Sequence, residues 1–126
     1  MSDIPKEPNE NSSFELFDHQ NIIENDLLIS AFGVSTYEFL ALGMPIISFG
    51  HQMSNAYAAE FLAQKTEALM SLGNFDDITE QALNTSIELL IKDKAKRSAL
   101  VKNAVSILDF KGIDRIIEIL EHIPYE

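Results

Sequence analysis

Cysteine is absent from this 126-residue sequence, which excludes disulfides and thiolate-ligated metals and suits a reducing, cytoplasmic setting. Basic residues are scarce over most of its length. Residues 1–91 carry only Lys6 and Lys65 against fourteen acids, net −12, and residues 92–126 carry seven basic and six acidic residues, net +1, for −11 overall. Nucleic-acid binding needs a basic stripe to neutralise phosphates. The one candidate cluster, Lys92, Lys94, Lys96, Arg97 and Lys102, is spaced like the solvated face and ends of a helix, so nucleic acid is not expected as a partner. Long apolar runs are missing too. Residues 107–120 come nearest, but Asp109, Lys111, Asp114, Arg115 and Glu118 interrupt them, and the N-terminus lacks a charged-then-apolar signal pattern, so no membrane insertion is expected. The three histidines, His19, His51 and His122, have no ligand spacing, so no metal is expected. There is no nucleophile elbow, catalytic triad, GxGxxG or Walker loop, and no catalytic residue or cofactor is assigned.

What is present fits one domain with a real core, because two full domains would not fit this length. Residues 1–13, with two prolines and no periodicity, read as a disordered leader, and residues 14–126 as the folded part. Phe14-Glu15-Leu16-Phe17 alternates and predicts a short strand, and residues 18–25 predict a turn or one helical turn. Leu27-Leu28-Ile29-Ser30 and Ile46-Ile47-Ser48-Phe49 are compact apolar runs suited to strands buried on both faces. Between them, Ser35-Thr36-Tyr37-Glu38 has a capping-box pattern, predicting a helix over residues 36–42 that ends at Gly43, with Pro45 beyond. Ser54 is the expected cap of a helix to about Gln64, with Tyr57, Phe61 and Leu62 facing inward.

A further short strand is expected over residues 67–72, closed by Gly73-Asn74. Helices follow. Asp77-Ile78-Thr79-Glu80 reads as a capping box before a helix to about Ile91, with Leu83, Ile87, Leu90 and Ile91 on one face. Asp93 opens another to Leu108, with Leu100, Ala104 and Ile107 inward, and residues 113–122 form a last one. The fold class is therefore α/β: a small parallel sheet of three to four strands with helices on both faces and one strand edge left uncovered.

Chemistry belongs at the edge where strands end and helices begin. A glycine at position 33 either makes a plain strand-to-helix turn or brings a phosphate close to free amides at a helix N-terminus. Glu38 either closes the capping box or accepts hydrogen bonds from the hydroxyls of a ribose. His51, Gln52, Ser54 and Asn55 either form a solvated capping loop or present donors to phosphate and sugar oxygens.

Four segments in order, DLLISAFGVSTYE, LALGMPIISF, HQMSNA and LDFKGIDRI, resemble the C-terminal nucleotide-binding domain of GT-B glycosyltransferases. The spore-coat polysaccharide biosynthesis proteins and the UDP-sugar hydrolase of the pseudaminic-acid pathway are nearest within that group, and the lipid II N-acetylglucosaminyltransferase is more distant. The resemblance covers roughly residues 14–120. It implies a partial Rossmann-like domain for a UDP-sugar in surface polysaccharide or nonulosonic acid biosynthesis. Gly33, Val34, Ser35 and Thr36 would line the diphosphate, Glu38 would hold the ribose, and His51, Gln52 and Asn55 would face the diphosphate or sugar. In that family the catalytic base and acceptor site lie on a first domain that this sequence lacks. The chain alone is therefore expected to be inert, and a separate polypeptide supplying that half, or self-association through the open sheet edge, is the expected partnership. A non-catalytic interaction module that keeps the fold is the remaining alternative. One departure is Asp109-Phe110 where the family has Asp-Gly.

Overall fold

A computed structural model describes residues 9–124. The first part of the expected leader, residues 1–8, lies outside the described residues, and residues 9–13 form an exposed turn held by Asn9 and Ser12. Three parallel strands, β1 (Leu28–Ala31), β2 (Ile46–Gly50) and β3 (Met70–Asn74), lie side by side in the order β1-β2-β3. Helix α1 (His19–Ile23) precedes β1, α2 (Val34–Ala41) joins β1 to β2, and α3 (Met53–Thr66) joins β2 to β3. A 3-10 turn (Phe75–Asp77) leads to α4 (Glu80–Lys92), α5 (Lys94–Ile107) and α6 (Gly112–Glu121). This is the expected α/β class with three strands, a small Rossmann-like sheet.

Alternation along the strands splits the core into two layers, as the two-residue period of a strand requires. On one face Leu28, Ile46 and Leu69 meet Phe39 and Leu40 of α2, Ala59 of α3 and Ala104 of α5. On the other, Ile47 and Met70 meet Ile87 and Leu90 of α4 and Leu100 of α5. Leu40, Ile46, Ile47 and Leu90 are fully buried, each stabilising the fold by roughly 1.5–3 kcal/mol relative to exposure. Helices thus cover both faces. Pairing in register brings Ser30, Ser48 and Ser71 into one rank across the sheet, and the Ser48 hydroxyl is buried without a hydrogen-bond partner.

Helix α2 ends as its glycine predicts. Gly43 has φ +77° and donates to Leu40 O at 3.1 Å, while Met44 N–H reaches back to Phe39 O at 3.3 Å. This is a Schellman closure. It lets Pro45 enter β2, where its carbonyl accepts from Leu28 N–H at 2.9 Å. At the far end of β2 the chain passes very close to α3. A Cβ on Gly50 would lie 2.1 Å from the Ala56 nitrogen, so only glycine fits.

Six expectations need correction. The strand expected over residues 67–72 runs instead over Met70–Asn74, because Glu67 still closes α3 in a left-handed cap, and Gly73 and Asn74 lie within the strand. Residues 14–17 form no strand; Phe14, Leu16 and Phe17 are exposed, and Phe17 packs edge-on against His19. The N-cap of α2 is Gly33, not Ser35, because Thr36 at the third helical position reaches back to the Gly33 N–H at 3.0 Å. Glu38 therefore closes no capping box. Helix α3 begins two residues before the place Ser54 predicted, with Gln52 as N-cap, and it turns Ala56 and Ala59 inward while Tyr57 and Phe61 face solvent. The tight approach at Gly50 leaves room only for alanine there. The cap of α4 is Thr79, whose hydroxyl accepts from Ala82 N–H at 3.1 Å, and Asp77 belongs to the preceding 3-10 turn. Ile91 and Ile107 are exposed: the buried face of α4 falls on Leu90, one position earlier, and that of α5 on Leu100 and Ala104. No described helix is long and apolar enough to cross a membrane.

Candidate functional site

The helices α2 and α3 both begin at the C-terminal edge of the sheet, directly after β1 and β2. Their starts are tied together. Phe32 N–H donates to Phe49 O at 2.7 Å, and the Asn55 amide donates to Phe32 O at 3.5 Å. Asn55, in the first turn of α3, thereby holds the segment that leads into α2.

The first N–H groups of a helix have no partner inside it and are usually met by a side chain at the N-cap. Three helices here follow that rule. Asp18 accepts from Gln20 N–H at 3.0 Å, Thr79 from Ala82 N–H, and Asp93 from Lys96 N–H at 2.9 Å. At α2 the N-cap is a glycine with no side chain, and at α3 the Gln52 side chain makes no capping bond. Both sheet-edge helix ends therefore present first-turn amides with no side-chain acceptor, together with the positive end of the helix dipole. Gly33 is in extended backbone, and nothing lies within 4 Å of where its Cβ would be. The approach to these amides is open.

The side chains divide into two groups. Val34 and Ser35 are exposed at the start of α2, and Thr36 is buried, its hydroxyl spent on the Gly33 N–H. His51 and Gln52 are exposed beside the start of α3, with the His51 ring edge-on to Phe49 at 5.9 Å. Glu38 sits a turn further along α2 and is exposed. Its Oε2 lies 3.2 Å from His19 Nε2, a pair that carries full charge only when the histidine is protonated. His19 was missed in the sequence because nineteen residues separate it from Glu38. Phe17, packing on both His19 and Phe39, and Ile22, packed against the core, hold α1 in that position.

Among the described residues no group of three or more His, Cys, Asp or Glu side chains could hold a metal ion. Compared with protein-family models, curated proteins and solved structures, the chain matches none.

Proposed function

We propose that this chain is the nucleotide-sugar-binding part of a glycosyltransferase-like protein, holding a UDP-sugar by its diphosphate at the starts of α2 and α3. The observation that carries this reading is the pair of adjacent helix N-termini at the sheet edge left without side-chain caps, where α1, α4 and α5 are capped and the other uncapped start, that of α6, lies away from the sheet. Amides there bind an anion without a lysine or arginine, which matches the shortage of basic residues before residue 92. Val34 and Ser35 offer backbone N–H groups, Ser35 adds a hydroxyl, and Gln52, His51 and Asn55 border the same edge. Thr36 works from beneath by fixing Gly33. Glu38 accepts the ribose hydroxyls, with His19 orienting its carboxylate. In glycosyl transfer or UDP-sugar hydrolysis the amides stabilise the charge that gathers on the departing diphosphate.

A second reading, in which a separate polypeptide docks to complete the site, is favoured by the bare edge of β1. Ile29 is 43% exposed there, beside a cavity of about 510 Å³ lined by Leu16, Ile22, Leu27 and Ile87. The nucleotide reading is tested by titrating UDP into the 15N-labelled chain. Amide shifts centred on residues 33–38 and 51–55 are expected, with UDP affinity weakened several-fold in Glu38→Ala. Unchanged spectra at millimolar UDP would defeat it.

A further inference from the structure

We infer that a cavity on the outer side of α3 is a second binding site, for an organic cation carrying a guanidinium or alkylammonium group. The cavity, about 440 Å³, lies between α3 and the corner where β3 passes into the 3-10 turn. Met53, Tyr57, Glu60, Phe61, Asn74 and Asp77 line it.

Met53, Tyr57 and Phe61 follow one another at four-residue intervals, forming a stripe along α3. The last two are 77% and 65% exposed, unusual for large aromatic side chains on a helix that buries only alanines on its sheet side. Aromatic faces in water beside carboxylates attract cations through the ring quadrupole. Both carboxylates are available. Glu60 Oε1 accepts from Gln64 at 2.9 Å, which holds the side chain in place and leaves its second oxygen unpaired. Neither Glu60 nor Asp77 takes part in an ion pair among the described residues, where the pairs are His19–Glu38, Lys92–Glu88 and Arg115–Asp109.

The floor supplies a further acceptor. Asn74 donates its amide N–H to Met53 Sδ at 3.3 Å, while its carbonyl oxygen is buried without any hydrogen-bond donor. An unpaired buried acceptor is costly, and an N–H donor entering from the cavity that Asn74 lines would satisfy it. Two carboxylates, a vacant carbonyl and two aromatic faces all ask for the same thing: a flat or compact cation rich in N–H donors. An anion or a neutral sugar would gain nothing from the carboxylates.

Only Met53 is shared with the nucleotide reading, through its backbone amide in the first turn of α3, so shifts at residues 57–64 and 73–77 report this site and shifts at residues 33–38 report UDP. The test is an NMR titration of the full chain with N-acetyl-L-argininamide, using N-acetyl-L-citrullinamide, whose blocked α-amine leaves it without charge, as the isostere. Shifts are expected at residues 53–64 and 73–77, with citrullinamide at least about fivefold weaker. The double variant Glu60→Gln, Asp77→Asn and the variant Tyr57→Ala, Phe61→Ala should each weaken argininamide by a similar factor. The side chains replaced are exposed, and circular dichroism will verify that the fold is kept. Equal binding of citrullinamide, or unchanged binding by the carboxylate variant, would overturn the proposal. A Gly-Arg-Gly peptide and agmatine then separate the sources: tighter binding of the peptide assigns a protein-borne arginine, and tighter binding of agmatine a free amine. Either result supports a cation site.

Discussion

The starts of α4 and α5 differ from those of α2 and α3 in one respect that the sequence alone does not display. At α4 and α5 a threonine and an aspartate close the first turn from outside, and those ends are complete in themselves. At α2 and α3 a glycine and an uncommitted glutamine stand in the same place. The first pair of helices packs onto the sheet only to cover it. The second pair also points its open ends to the edge where both strands stop. Stability was built into one pair, and accessibility was kept in the other.

The sharpest way to break this contrast is Gly50→Ala. Its Cβ would fall 2.1 Å from a backbone nitrogen of α3, so the helix must move. A loss of about 3 kcal/mol or more is expected in urea unfolding, with amide shifts spreading from residue 50 through the first turn of α3. Removing the caps should have a smaller and more local effect. Thr79→Ala and Asp93→Ala should each cost about 1 kcal/mol, whereas Gln52→Ala, which deletes no capping bond, should leave the unfolding midpoint nearly unchanged. Equal losses in all three would erase the distinction.

Adding a cap tests the same difference from the other side. The extended backbone of Gly33 accepts any residue, and space is open around it. Gly33→Asp should therefore stabilise by a few tenths of a kcal/mol. Under the nucleotide reading it should also abolish UDP binding, because the new carboxylate occupies the amides and repels phosphate.

The smallest effect concerns Asp109, before α6. Its pKa is lowered from the ordinary value of 3.8, first by the hydrogen bond from Arg115 at 2.6 Å and then by the Lys111 N–H. Because the folded value is depressed, this pairing supports the fold fully above 3.8 and is lost as pH falls through the lower, folded value. A carbon-detected titration of Asp109 should show a midpoint below 3.8 that rises in Arg115→Gln. Both groups are solvated, so the global unfolding midpoint should hardly respond.

Much of this architecture was written in local patterns. The run Ile46-Ile47-Ser48-Phe49 gives a strand covered on both sides, as consecutive apolar residues require. Leu27-Leu28-Ile29-Ser30 also gives a strand, but at the sheet edge, where Ile29 is 43% exposed instead of covered. Gly43 with Pro45 marks the end of α2 to within one residue, and Asp93 marks the start of α5. Legibility failed where neighbouring residues compete for one role. Ser35 and Thr36 both suit a helix start, and the outcome turned on Thr36 being three residues from a glycine that needed its N–H satisfied. On α3, the larger side chains looked like the buried ones. Yet Gly50 passes so close to Ala56 that α3 meets the sheet through small residues, Ala56 and Ala59, and Tyr57 and Phe61 are left in water. The Phe14 and Leu16 alternation resembled a strand, but periodicity does not by itself supply a pairing partner. At the candidate site, the edge and its glycine were readable. The His19–Glu38 pair was not, since it depends on a short helix being anchored by an aromatic contact.

Helix α6 carries a last consequence. Its apolar side chains Ile113, Ile116, Ile117 and Leu120 are all exposed, none of its residues is buried, and it has at most marginal contact with the other elements. Cooperative units are defined by shared burial. On that basis α6 lies outside the unit formed by the sheet and α2 to α5. Its amides should exchange with solvent deuterium at a rate set by its own opening, while those of β2 wait for the whole molecule to unfold. Heating would then give two events where the chain length suggests one.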